Sequence, residues 1–365
     1  MNVLPANAID WHSFLARPRL PAPSDAALGQ LRYASILVTG AGGSIGNALS
    51  MRLAALHPRR LLLLDASEQA LYRLQSSLND VGLLTHARLI LGNCNDSPLL
   101  EDILEPRQLI FHAAAYKHVP LLEHHPLEAI ANNTLATLTL SGSASRAGAA
   151  RIVLLSTDKA AAPASILGAT KRIAERIVLA HDGIALRLAN VLGTEGSVSE
   201  TFARQIAAGS PITVTTSDAR RYFLTGPEAV DLLLASAIAA PARTLLAPQL
   251  AEQHSIAELA QFLSNQFSPL NAAPIVFTGH RPGDKPREVF WSSDEQPSRS
   301  SIAGMIQIHS SPGKSELAPH TMKTLCEAVG NRDLPLAIEC IARIVPGYSP
   351  SETIIGQIKQ CEAIR

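Results

Sequence analysis

A short apolar run from Ile36 to Thr39 passes through Gly40-Ala41-Gly42-Gly43-Ser44-Ile45-Gly46 into a helical pattern, Ser44 to His57, and a second apolar run, Leu61 to Asp65, follows. Strand, glycine turn, helix and strand within roughly thirty residues make a βαβ unit, which commits the chain to a parallel sheet covered by helices. Each glycine has a mechanical use. Gly40 permits the tight turn, Gly43 lets backbone amides approach a pyrophosphate where Ser44 and Ile45 open the helix, and Gly46 lets the helix pack closely on the strand. Asp65 stands about twenty residues on, where an acid binds the adenosine ribose. A carboxylate there repels a 2'-phosphate, so the expected cofactor is NAD rather than NADP. The bland alternative is a glycine turn that only packs helix on strand.

The alternation continues. Further strands are expected at Arg88 to Leu91, Leu109 to His112, Arg151 to Leu155 and Ile184 to Leu188, and helices at Glu68 to Val81, Leu127 to Ala147 and Leu167 to Ala180. Short apolar strands of this kind are buried on both faces. The predicted fold is α/β, a Rossmann-like doubly wound parallel sheet over residues 31–190, with a smaller substrate-binding lobe over 191–291 that exchanges a strand or helix with it. Residues 1–30, with Pro5, Pro18, Pro21 and Pro23, read as an extended arm. The Ser- and Pro-rich stretch 292–317 reads as a loop, and three helices are expected in the remainder, around 319–329, 333–344 and 350–363.

Composition removes several function classes. With 47% hydrophobic residues and 31 basic against 31 acidic side chains, the chain is globular and lacks the basic excess of a nucleic-acid binder. No apolar run is long enough to span a bilayer and no signal peptide opens the chain, so direct membrane insertion is not expected and a cytoplasmic location is. Cys94, Cys326, Cys340 and Cys361 form no Cys-x-x-Cys pair, and His118, His124 and His125 have no second cluster at ligand spacing; no metal site is expected.

Ligands of open α/β sheets lie beyond the carboxyl ends of the strands. There the sequence places His112-Ala113-Ala114-Ala115-Tyr116-Lys117-His118, whose alanines admit a cofactor close to the backbone and whose Lys117 reaches anionic groups. It also places Ser156-Thr157-Asp158-Lys159 there and, on the next helix, Gly168-Ala169-Thr170-Lys171. With the glycine loop, Asn190-Val191-Leu192-Gly193, Arg221-Tyr222-Phe223 and Arg281-Pro282-Gly283-Asp284-Lys285, these motifs occur in the order that resembles the polysaccharide-biosynthesis branch of the extended short-chain dehydrogenase/reductases. The match is dense over about residues 35–290. It is similar in particular to the catalytic domain of membrane-anchored, NAD-dependent UDP-N-acetylglucosamine 4,6-dehydratases of the bacillosamine type, and the expectation is of that domain without the membrane anchor.

The resemblance implies oxidation at sugar C4, loss of water across C5 and C6, and return of hydride to C6. It makes Asp158 the acid at C6, Lys159 the base at C5, Thr157 a hydrogen-bond partner of the C4 oxygen and Lys171 the holder of the nicotinamide ribose. Such a base is partly neutral, which burial and neighbouring positive charge favour. The resemblance also assigns Asn133, Asn190, Arg221 and Arg281 to the UDP-sugar, and two helices, 127–147 and 167–180, to the interface of a homodimer. Leu167 departs from the superfamily, since most members carry there the Tyr that deprotonates the C4 hydroxyl. Ala162 in place of Asn, Asn93 in place of Asp and Ala136 in place of Gly are further departures. Two rivals stay open: a UDP-sugar 4-epimerase, which needs no acid and base at C6 and C5, and a catalytically weak NAD- or sugar-nucleotide-binding protein.

Overall fold

The computed structural model describes residues 9–268, 272–279, 283–310 and 317–364. Nine strands form its central sheet: β1 (Ser35–Thr39), β2 (Arg60–Asp65), β3 (Arg88–Leu91), β4 (Leu109–His112), β5 (Arg151–Thr157), β6 (Ile184–Leu188), β7 (Thr244–Pro248), β8 (Glu295–Arg299) and β9 (Met305–Ser310). Their order is β8-β9-β7-β6-β5-β4-β1-β2-β3. All neighbours from β3 to β7 run parallel, and β9 and β8 add antiparallel to that edge. Ile36, Leu37, Val38, Leu62, Leu63 and Leu64 are fully buried, as helices on both faces of a parallel sheet require. The doubly wound fold read from the sequence is therefore present. Its order reverses between β1 and β4, where Thr39 pairs with His112, and a crevice opens beyond the strand ends at that point.

The sequence reading of 292–317 as a loop is corrected here, because β8 and β9 lie within it, while 311–316 fall outside the described residues. The signal was weak because β8 is the sheet edge. Only Glu295 of that strand is buried, and Pro297 sits where an edge strand tolerates a missing donor. The 191–291 segment is likewise not one contiguous lobe. Its helix Gly226–Ala239 packs on helix Ser44–Ala54, and β7 joins the main sheet. What remains is a lobe of helices Val198–Ala207 and Ile256–Phe267 with short strand pairs, cored by Phe202, Ile212, Val214, Phe223, Leu259 and Leu263. The N-terminal arm is partly helical, at Trp11–Leu15 and Asp25–Leu28. It enters both cores, Trp11 and Leu15 in the lobe and Leu28 and Leu31 under the sheet. Arg17 holds the arm through a bidentate pair with the buried Glu228.

The helix expected at 127–147 is present as one continuous run, Pro126–Ala129, a π-helical segment Ile130–Leu135, and Ala136–Arg146, with helical dihedral angles at both junctions. Of the three C-terminal helices, Pro319–Gly330 and Leu334–Ile344 pack onto this helix, the second also onto helix Ile166–Ala180, while Glu352–Ile364 packs against Leu334–Ile344 and helix Val119–His124. Ile130, Leu167, Ile173 and Ile177 are buried against Leu325, Ile338, Ile341 and Ile344. The apolar face that the sequence reading assigned to a dimer is thus covered by the chain's own C-terminus.

Arg187 on β6 is fully buried, with its guanidinium bidentate to both Glu175 of helix Ile166–Ala180 and Glu295 of β8. Glu175 also accepts from Ser156 on β5 at 2.6 Å, and Arg172 pairs with Glu295. Removing one carboxylate from such a buried network leaves guanidinium charge uncompensated. Glu295→Ala is therefore expected to lower stability by about 3–5 kcal/mol in a chemical denaturation experiment, far more than a surface substitution on the same strand.

Candidate active site

The turn after β1 is built by close approach. Gly40 has φ 67°, and a Cβ there would lie 2.5 Å from the amide nitrogen of Ala114. One at Gly46 would lie 2.0 Å from the Gly40 carbonyl oxygen. Gly43 differs, because its nearest neighbour would be 3.4 Å away. Gly43 is also the N-cap of helix Ser44–Ala54 and offers no side chain to the helix's free amides. Open space over uncapped amides fits a pyrophosphate. Asp65, at the end of β2, accepts from the amide nitrogens of Gly42 and Ser67, each at 2.8 Å, and is only half-buried, so its remaining lone pairs can meet ribose hydroxyls. Asp65, Asn93, Ala113 and Ala114 line one end of the crevice. Ser44, Ile45, Lys117 and Thr157 line its middle, a cavity of about 540 Å³. Among the described residues these groups suit NAD. Lys117 donates to the backbone oxygen of Glu195, whose amide in turn donates to Ser44 Oγ at 3.1 Å, so the loop after Asn190–Val191 folds over the glycine turn.

The far end of the crevice is lined by Thr157, Lys159, Leu167, Lys171, Asn190 and Arg221. Thr157 ends β5, and Asp158 and Lys159 follow in a 3-10 turn. Asp158 is fully buried. Its Oδ1 accepts from Thr157 Oγ1 at 2.9 Å and from Lys159 Nζ at 3.0 Å, while its Oδ2 has no partner among the described residues. Lys159 Nζ also donates to Asn190 Oδ1 at 3.2 Å and lies 3.7 Å from Glu288 Oε1. Helix Ile166–Ala180 presses against this turn at Gly168, where a Cβ would lie 2.4 Å from the Lys159 carbonyl oxygen. That approach carries Lys171 to the same cavity.

The two lysines differ electrostatically. Burial pushes the Lys171 ammonium down to about 8, opposed by Glu175. Burial acts on Lys159 too, but Asp158 and Glu288 outweigh it and hold its ammonium above the usual lysine range. The expected partly neutral Lys159 is therefore not the state of the free site. His112, fully buried behind the glycine loop, is pushed down to about 3, first by burial and then by Lys171. It bridges Thr39 and Thr137, at 2.7 and 3.0 Å.

Two expected substrate contacts are placed differently. Asn133 is buried in the π-helical segment, its Oδ1 accepting from the Tyr116 amide at 2.8 Å and its Nδ2 donating to the Tyr116 oxygen at 3.1 Å. With both ends engaged it latches the loop after β4 and does not reach the sugar cavity. Arg221 reaches the cavity, yet its guanidinium donates to the carbonyl oxygens of Arg220, Lys285 and Pro286. Arg281 lies outside the described residues. Glu288 escaped the sequence reading because nothing marks it beyond its position after Asp284-Lys285. Lys285 donates to the oxygen of Ala162, which ties that segment to the turn after β5.

Comparison with known proteins agrees with this architecture. Residues 36–310 match the family model described as polysaccharide biosynthesis protein. The chain is 35% identical over 278 residues to the probable polysaccharide biosynthesis protein EpsC of Bacillus subtilis, covering 73% of this chain and 46% of EpsC. It is 28% identical over 287 residues to the UDP-glucose 4-epimerase of Rickettsia typhi, covering 75% of this chain and 82% of that enzyme. Among solved structures, Pen from Bacillus thuringiensis superposes with a TM-score of 0.71 at 25% identity, covering 78% of this chain and 88% of Pen. The chain spans about half the length of the first curated relatives it matches. With the glycine turn, the Thr157-Asp158-Lys159 turn and a model match over most of its length, the chain belongs to the polysaccharide biosynthesis protein family of short-chain dehydrogenase/reductase fold.

Proposed function

We propose that the chain is an NAD-dependent nucleotide-sugar 4,6-dehydratase acting on UDP-N-acetylglucosamine. The observation that carries the reading is the Thr157-Asp158-Lys159 turn. It joins a buried carboxylate with one unpartnered oxygen to a cavity-lining amine, at the end of a crevice whose other end suits a dinucleotide. NAD, when bound, supplies the centre that takes hydride from C4 and returns it to C6. Gly43, Ser44, Ile45 and Asp65 hold it, and Lys171 anchors the nicotinamide ribose.

Thr157 answers the question that Leu167 raises. Its hydroxyl donates to Asp158 Oδ1, so a C4 hydroxyl that donates to Thr157 Oγ1 passes its proton along an existing hydrogen bond to Asp158. Asp158, protonated at Oδ1, is then the acid that gives this proton to the departing C6 oxygen. Lys159 gives its ammonium proton to solvent once the pair with Asp158 is broken, and the neutral amine so formed accepts the C5 proton, which the 4-ketone makes acidic. Leu167 contributes only an apolar wall, which helps exclude water from the exchange. The partner is the UDP-sugar. The apolar face of the helix pair assigned to a homodimer is occupied by helices Pro319–Gly330 and Leu334–Ile344, which argues against pairing through that face.

Similarity to the Rickettsia typhi enzyme supports a second reading, UDP-sugar 4-epimerase. The Asp158–Lys159 pair favours the first, because epimerisation returns hydride to C4 and leaves C5 and C6 untouched. Incubation with UDP-N-acetylglucosamine separates them. Loss of one water with a new 6-methyl proton signal is expected; an isomer of unchanged mass supports epimerisation, and no turnover with NAD bound removes the catalytic reading.

Two substitution sets sharpen the test. Asp158→Asn and Lys159→Met are expected to lower kcat by about 10²–10⁴-fold with NAD affinity unchanged, measured by steady-state assay and calorimetric titration. In the glycine turn the two effects separate in space. Gly43→Ala is expected to keep the melting temperature and weaken NAD binding, because its methyl meets little protein but occupies the pyrophosphate approach. Gly46→Ala is expected to lower the melting temperature, because its methyl meets backbone that has no room to move.

A further inference from the structure

We propose that Glu288, brought from the lobe side of the crevice, is a positioning residue that holds the Lys159 ammonium and releases it as the lobe engages a nucleotide sugar. The proposal rests on the dehydratase reading for its consequence in catalysis, though not for its geometry.

Glu288 is 3% exposed, and its carboxylate lies between two lysines, with Oε1 3.7 Å from Lys159 Nζ and Oε2 3.5 Å from Lys285 Nζ. It does not line the cavity, so it acts through Lys159. Its backbone is fixed to the lobe: Gln253 Nε2 donates to the Glu288 oxygen at 2.8 Å, and Arg220 N donates to the Pro286 oxygen at 2.8 Å. Arg221 clamps the same stretch through the oxygens of Lys285 and Pro286. From that base the segment crosses to the turn after β5, where Lys285 bonds Ala162. Lys159, on the sheet side, is thus gripped by Asp158 from its own turn and by Glu288 from the opposite wall.

The charged and polar groups around Lys159 are therefore Asp158 on its own turn, Glu288, Lys285 and Asp284 on the crossing segment, Arg221 and Asn190 on the lobe strands, and Lys171 on helix Ile166–Ala180. Two carboxylates within contact range favour the ammonium form, and Arg221 opposes them. An opposite charge at such a distance moves a titration by about one to three pH units. A nucleotide sugar bearing a diphosphate attracts Arg221 and Lys285, both of which are now spent on this segment. Any shift of the segment toward the diphosphate moves Glu288 with it. Lys159 then loses one of its two anions, its ammonium gives a proton to solvent more readily, and the neutral amine so formed can accept the C5 proton. No covalent step is added; the same proton is held less tightly.

Glu288→Gln keeps shape and removes charge, so the acidic limb of the kcat/KM profile should move to lower pH by about one unit. Lys285→Met removes a cation and should move the limb the other way. Lys159 is titrated directly by NMR of protein carrying ¹³C-lysine, with Lys159→Arg for assignment and a thermal melt to confirm folding of each variant. An unchanged Lys159 titration in Glu288→Gln overturns the proposal, as does a uniform loss of rate with no movement of the limb. Should the wild-type chain yield no dehydration product, the dehydratase reading fails while the NMR titration still decides whether Glu288 governs Lys159.

Discussion

Arg187 is a fully buried cation in the middle of a parallel sheet, and the architecture around the site depends on how it is neutralised. Burying a lone guanidinium is prohibitive, so its strand can occupy the core only if two carboxylates arrive with it. One comes from the helix that carries Lys171, the other from a strand more than a hundred residues later. Glu175 reaches Ser156 on β5 as well, next to Thr157, so a single electrostatic demand aligns β6, β5, the helix and the added edge hairpin. The site is rigid where it must be because this network sits directly beneath it.

The same network explains an asymmetry in the crevice. Among the described residues Glu175 is the carboxylate whose charge acts on Lys171, and it is spent on Arg187; burial therefore prevails and the Lys171 ammonium is easily given up. Lys159, a few residues away in the fold, has Asp158 and Glu288 for itself. Two lysines lining one cavity thus begin from opposite electrostatic conditions, a separation that acid–base chemistry requires of neighbouring groups.

The features legible in the sequence are those set by local geometry. Glycine positions between an apolar run and a helix, and an acid at the next strand end, announce the dinucleotide turn because steric contact at Gly40 and Gly46 admits nothing larger. The buried strands announce themselves by unbroken apolar runs. What stayed hidden depends on partners distant in the chain. β8 is polar along nearly its whole length, and its one buried residue, Glu295, looks like any surface acid until Arg187 is beside it. Asn133 reads as a polar group facing an active site, and only the backbone of Tyr116 shows that both its ends are engaged. Glu288 carries no local signal at all, since its meaning comes from Lys159 across the crevice.

The covered helix face bears on how such a fold can assemble. Helix Ile166–Ala180 and the π-containing helix before β5 present Ile130, Leu167, Ile173 and Ile177 on one side, and an apolar surface of that extent has to be removed from water. A second copy offering the same helices is one means of burying it. Here helices Pro319–Gly330 and Leu334–Ile344 supply the partner residues from within the chain, and the acid Glu123 fastens the arrangement. Its Oε1 accepts from the amide nitrogen of Ile166, at the start of the Lys171 helix, and its Oε2 accepts from Ser351 Oγ. One carboxylate therefore holds both the start of the active-site helix and the entrance to the last C-terminal helix. Because the covering and the site share this anchor, the C-terminal helices act as part of the scaffold of the site rather than as an appendage, and the helix that carries Lys171 is braced twice, by Glu123 at its first turn and by the Arg187 network beyond its middle.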